Sequence, residues 1–223
     1  MNIFDIVGPV MVGPSSSHTA GAVRIGSVSR KLFGKSIRSA EILLHGSFAS
    51  SGRGHGTDRA LVAGLIGLSV DDPRIPEALE LAEKQGLSVT FGTIDLGEDA
   101  HPNSACLRLH GDDEKDAMEI VASSIGGGRI MINAIDGLAA NFSGDCPTLI
   151  VHNLDQPGHV AEVTSMLQHK AVNIATMQLY RNGRGGHAVM VIECDQEIPT
   201  DSLTWLSKLE GVEKVTYYSP AEG

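Results

Sequence analysis

Aromatic residues are scarce, 4% of the 223-residue chain with a single tryptophan. A core of ordinary size must therefore be built from Leu, Ile, Val and Ala. Positive charge is also in short supply: 17 Lys and Arg stand against 27 Asp and Glu, a formal net charge of −10. That balance argues against nucleic acid as the main partner. It leaves small substrates open, because local fields differ from the total. Cysteines number three, Cys106, Cys146 and Cys194, far apart and odd in count. They give no disulfide framework and suggest a reducing compartment. They also lack the close spacing of a zinc or iron–sulfur ligand set, so they read as buried free thiols. Long apolar runs are missing as well. Ala60 to Val70 is too short to span a bilayer and is broken by Gly64 and Gly67. Met1 to Asp5 carries no basic leader. The expectation is a cytoplasmic protein with neither membrane nor nucleic acid as partner.

What is present suits a globular protein of one large domain or two modest ones, with 42% hydrophobic residues. Gly13-Pro14-Ser15-Ser16-Ser17-His18-Thr19-Ala20-Gly21 sets a turn, four hydroxyls and an imidazole ahead of a helix-prone run. Ser17 or Thr19 is suited to cap the helix that follows, His18 to Leu32. A capped helix start rich in hydroxyls is a natural place for a carboxylate or phosphate, and equally an ordinary surface helix. Ala40 to Gly46 reads as a buried strand, and Ser47 to Asp58 as a second loop combining glycine, hydroxyls and histidine. Thr57 or Asp58 is expected to cap a helix, Arg59 to Leu68, and Pro76 to Gln85 forms another, stopped by Gly86. Strands follow at Leu87 to Phe91, Ser104 to His110 and Ala117 to Ile125; Gly126 to Gly128 turns the last back into Arg129 to Ile135.

From Thr148 the pattern changes to strand, helix, strand, strand, helix, strand, ending with Val212 to Tyr218. That βαββαβ order is the ferredoxin-like unit. The fold class is therefore α/β (α+β): a mixed domain over residues 1–146, then a ferredoxin-like domain over 148–223.

Several chemistries are excluded by spacing. Gly52, Gly54 and Gly56 give G-x-G-x-G with Thr57 where a dinucleotide fingerprint needs glycine. No G-x-S-x-G elbow is present, and no H-E-x-x-H pair or paired cysteines offer a metal site. What recurs is histidine beside hydroxyls and amides: His18 with Ser15, Ser16, Ser17 and Thr19; His55 with Thr57 and Asp58; His101 with Asn103 and Ser104. Such loops suit a small polar zwitterion, hydroxyls and amides holding its carboxylate and an imidazole moving a proton. An electron sink is missing and must come from elsewhere.

The run Gly13 to Gly21, the run His45 to Asp58, and His101-Pro102-Asn103-Ser104 closely resemble the β chain of bacterial iron–sulfur-dependent L-serine dehydratase. The resemblance covers essentially the whole chain. The first part resembles the allosteric substrate-binding domain of some phosphoglycerate dehydrogenases, the second an ACT domain. The resemblance implies an L-serine ammonia-lyase of two chains, in which the α subunit carries a [4Fe–4S] cluster and no metal is held here. It also implies that His18, His55, Thr57 and Asn103 serve catalysis, with Ser16, Ser17 and Thr19 binding L-serine. In the ACT-like part it points to Asn153, Gln156, Gly158, Asn173 and Ile174 as effector-binding positions, and to self-association. The competing reading is a non-catalytic amino-acid sensor.

Overall fold

The computed structural model describes Met11, residues 15–113 and residues 115–220. The Gly13-Pro14 turn and, apart from Met11, the segment leading to it lie outside the described residues. The chain divides into two compact units, residues 1–137 and 138–223.

In the first unit, strand β1 (Ser39–His45) alternates buried and half-buried residues, with Ala40, Ile42 and Leu44 in the core. Strand β2 (Ser88–Thr93) pairs with it in parallel. Strand β3 (Asn103–His110) pairs with its other edge antiparallel, followed by β4 (Ala117–Gly126) and β5 (Arg129–Ile135). In the order β2-β1-β3-β4-β5, β3 lies between β1 and β4. Helix α1 (Ala22–Phe33) buries Val23, Ile25, Val28 and Leu32. It meets helix α3 (Thr57–Leu65) at two glycines. A Cβ on Gly26 would lie 2.1 Å from the Leu61 carbonyl oxygen, and one on Gly64 2.0 Å from that of Val23.

The expected loop between β1 and α3 is instead helix α2 (Gly46–His55). Its glycines and serines lower intrinsic helicity, but packing supplies what propensity does not. Phe48 is fully buried, and Gly46 adopts a φ of 55° that turns the chain straight from strand to helix. A short 3₁₀ turn, Ile75–Glu77, then leads into helix α4 (Ala78–Lys84).

The second unit opens with strand β6 (Leu138–Phe142), which the sequence did not announce. It is short, and Asn141 sits at positive φ. Asn141 is tied on both sides, its carbonyl accepting the Gln178 amide at 2.8 Å and its own amide donating to the Tyr180 hydroxyl at 2.9 Å. The βαββαβ run follows as expected: β7 (Thr148–Leu154), α5 (His159–His169), β8 (Ile174–Arg181), β9 (His187–Cys194), α6 (Thr200–Leu206) and β10 (Val212–Tyr218). The sheet order β10-β7-β9-β8 is antiparallel throughout. Leu149, Val151, Val163, Leu167, Met190, Ile192 and Leu206 form its core. Among the described residues no helix is long and apolar enough to cross a membrane.

Candidate active site

Two of the expected histidines meet. Ser16–Gly21 forms a π-helical turn that runs directly into α1. Its cap is Ser15, not Ser17 or Thr19 as expected: the Ser15 hydroxyl accepts the His18 backbone N–H at 3.2 Å. This turn sits so close to β4 that a Cβ on Gly21 would lie 2.0 Å from Ser124 Oγ. His18 is thereby held beside α2. Its ring lies 4.8 Å from that of His55, tilted by 39°, and 5.3 Å from that of Phe48, edge-on. Ser51 Oγ lies 3.3 Å and Ser47 Oγ 3.5 Å from His18 Nε2, while Ser15 Oγ lies 3.4 Å from Nδ1. His55, exposed at the end of α2, places Nδ1 3.0 Å from the Ser51 carbonyl oxygen.

Partial burial, reinforced by the charge His55 can carry, pushes the His18 pKa below its ordinary value, against a backbone contact with Ser47 that raises it. A neutral imidazole able to accept a proton is the result.

Asn103 joins this region through the backbone. Gly46 bridges to Asn103, and the Ser47 N–H donates to the Pro102 carbonyl at 2.7 Å. Beneath them, Ser104, Ser123 and Asn133 form a hydrogen-bonded row at 2.8 and 2.6 Å. His101 is exposed and serves as a local brace, its Nδ1 accepting the Asn103 N–H at 3.1 Å.

Among the described residues of this unit, five buried side-chain polar atoms have no hydrogen-bond partner: Thr19 Oγ1, Ser29 Oγ, Thr57 Oγ1, Asn103 Oδ1 and Ser124 Oγ. Thr57 is the first residue of α3 and fully buried, but it caps nothing; Gly56 occupies the cap position. Unmet buried hydroxyls cost stability, and those of Thr19, one residue after His18, and Thr57, two residues after His55, call for a role besides packing.

The described residues contain no group of three His, Cys, Asp or Glu that could hold a metal. The cysteines do not suit a cluster either. Burial first, then the nearby Glu119 charge, pushes the Cys106 thiol up to about 11, and burial, then Asp195, does the same for Cys194. Cys146 is raised by burial and by the neighbouring Glu193. None of the three is joined by two further His, Cys, Asp or Glu in a ligand group among the described residues.

Residues 2–134 match the family model described as serine dehydratase beta chain. The chain belongs to that family. It is 41% identical over 215 residues to the probable L-serine dehydratase beta chain of Bacillus subtilis, covering 96% of each chain. It is 39% identical over 216 residues to the L-serine dehydratase beta chain of Peptoniphilus asaccharolyticus, covering 96% of this chain and 94% of that one. A more distant likeness, 22% over 198 residues, covers 36% of a D-3-phosphoglycerate dehydrogenase of Methanocaldococcus jannaschii.

Within this beta-chain family member, Ser16 and Ser17 are half-buried on the π-helical turn, with Thr19 buried behind them. Residues the sequence reading passed over are Ser47, Ser51 and Phe48. The signal for the serines was present: Ser47, Ser51 and His55 recur every fourth residue, one face of a helix, but only if that segment is helical.

The five effector candidates of the second unit do not come together within one chain. Asn153, Gln156 and Gly158 lie at the end of β7 and the entry to α5; Asn173 and Ile174 lie past the exit of α5. On β9 the first group is level with Ala188 and the second with Cys194, about 20 Å apart at strand rise. Asn153 Oδ1 is buried and unpartnered, whereas the Asn173 amide donates to Asp195 at 2.6 Å.

Proposed function

We propose that this chain acts as the beta chain of a two-chain L-serine dehydratase, converting L-serine to pyruvate and ammonia with an alpha chain. Family membership, with two relatives of that name aligned over nearly the full length, supports the activity. The observation that carries the chemistry is the His18–His55 pair, rings 4.8 Å apart amid serine hydroxyls. The reaction removes the α-proton and the β-hydroxyl of serine as water, leaving aminoacrylate. Its imine form hydrolyses to pyruvate and ammonia.

The proton is the part this chain can take. Neutral His18, with His55 beside it, supplies basic nitrogens. Ser16 and Ser17 supply hydroxyls for the substrate carboxylate, backed by Thr19, and the partnerless Thr57 Oγ1 and Asn103 Oδ1 offer further polar contacts. An isolated amino-acid sensor needs donors but has no use for two facing imidazoles. The chain's own thiols do not fit an iron–sulfur cluster, so a [4Fe–4S] cluster belongs, in this reading, to the alpha chain.

The second unit is read as an ACT-type effector and assembly unit. Its two groups of candidate residues, separated within one chain, form one site only when a second copy presents Asn173 and Ile174 to the Asn153–Gly158 loop of the first. Serine-dependent change in sedimentation of the full chain tests this, and a single species with and without serine overturns it.

The decisive test of the activity is pyruvate formation from L-serine by this chain alone, by a coexpressed alpha chain alone, and by both. Turnover is expected only from the pair. Robust turnover by this chain in isolation overturns the two-chain reading.

A further inference from the structure

We infer that Ser51 is a positioning residue that fixes the tautomer of His18, placing the ring proton on Nε2 and leaving Nδ1 as the basic nitrogen. The inference rests on the reading of His18 as a residue of the dehydratase site, and it specifies which atom of that residue works.

The argument counts protons. A serine hydroxyl has one proton and two lone pairs. The shortest contact of Ser51 Oγ is with the Ser47 carbonyl oxygen at 2.9 Å, one turn back along α2. A carbonyl only accepts, so the hydroxyl proton lies there. Ser47 Oγ lies 3.3 Å from Ser51 Oγ and 3.5 Å from His18 Nε2, and with its proton on the nearer Ser51 oxygen both serines turn lone pairs to Nε2, which is then the protonated nitrogen. The opposite side of the ring accommodates the same tautomer. Ser15 Oγ accepts the His18 backbone N–H at 3.2 Å and keeps its own proton, which is free to point at Nδ1, 3.4 Å away. Nδ1, left unprotonated by the bond at Nε2, can accept that proton.

Ser51 acts on the neighbouring ring through its other oxygen. The Ser51 carbonyl lies 3.0 Å from His55 Nδ1, so His55 carries its proton on Nδ1 and opens Nε2. One residue thus holds two adjacent imidazoles in opposite tautomers. The Ser51 hydroxyl governs His18 and is removable by mutation; the Ser51 carbonyl governs His55 and is not.

The test uses the full chain labelled with ¹⁵N in its imidazoles, His18 being assigned with a His18→Gln variant. Two-bond nitrogen–carbon-bound-proton correlations read which ring nitrogen is protonated. Wild type is expected to show His18 protonated at Nε2 and His55 at Nδ1. Ser51→Ala is expected to shift His18 toward a mixture of tautomers while His55 is unchanged, and Ser51→Thr to restore the wild-type pattern. With the alpha chain present, Ser51→Ala lowers kcat about tenfold, a fraction of the full contribution of a general base, and Ser51→Thr recovers it. His18 found protonated at Nδ1 in wild type, or unchanged in Ser51→Ala, overturns the inference. Failure of the functional reading looks different: wild-type chains together form no pyruvate, while the tautomer pattern stands.

Discussion

Gly26 of α1 and Gly64 of α3 pack backbone to backbone, each occupying a position where a methyl group would fall about 2 Å from a carbonyl oxygen of the opposite helix. Helix α1 continues directly from the π-helical turn that holds His18. Gly26→Ala or Gly64→Ala must push the helices apart. A loss of about 3 kcal/mol is expected, at the upper end of overpacking costs, read as a lower midpoint in urea unfolding. Gly54, whose Cβ would meet nothing within 4 Å, is the control: Gly54→Ala is expected to be neutral or slightly stabilising.

Thr57 offers a separation of stability from function. Its hydroxyl is fully buried without a partner, so Thr57→Val, of the same shape, is expected to hold or raise stability, by roughly 1 kcal/mol. The same variant paired with the alpha chain is expected to lose on the order of 10²-fold in turnover if the hydroxyl helps position substrate. Parallel thermal melts and pyruvate assays decide it. A purely structural threonine would leave turnover intact.

Acid sensitivity should carry the signature of His18. Its pKa is lowered in the folded chain, by burial and then by His55, whereas the unfolded imidazole sits near about 6.5. The unfolded chain therefore binds a proton that the folded chain resists. The resulting stability is fully present above the unfolded pKa and is lost as pH falls below it toward the depressed folded value. Melting midpoints between about pH 7.5 and about pH 5.5 should drop more for wild type than for His18→Gln.

Asp155 ties the Asn153–Gly158 loop to the turn between β8 and β9. Its carboxylate accepts the Gly185 N–H at 3.0 Å and the Arg181 guanidinium at 3.2 Å, and its own N–H donates to the Gly186 carbonyl at 2.7 Å. The Gly185 contact first, then Arg181, holds this carboxyl below its usual range. The tie should persist through mildly acidic pH and release only as pH falls through that depressed value. Asp155→Asn is expected to speed hydrogen exchange at the Gly185 amide at neutral pH. Unchanged exchange would show that the backbone bond to Gly186 suffices.

Periodicity made much of this architecture legible. The apolar run of β1, the helix-prone run of α1 and the βαββαβ order all follow from where the chain can bury apolar residues. Helix α2 was hidden because its glycines and serines carry the signature of a loop, and the residues that overrule it, buried Phe48 and left-handed Gly46, act through tertiary contacts. Strand β6 was hidden by its brevity and by an asparagine at positive φ. At the site, the residue types were readable from the motifs, but the meeting of His18 with His55, 37 positions apart, depends on how α1, α2 and β4 pack. The Ser47–Ser51–His55 spacing became meaningful only once α2 existed to carry it.

The passage from β1 to α2 at Gly46 leaves no spare residue between the sheet and the helix that carries Ser47, Ser51 and His55. The angular phase of that helix is therefore dictated by the strand. Inserting one residue after His45 would rotate all three side chains together by about 100°, carrying their shared face away from His18. This junction should resist a change of length as firmly as Gly46 resists a side chain, whose Cβ would fall 2.6 Å from the Pro102 carbonyl oxygen.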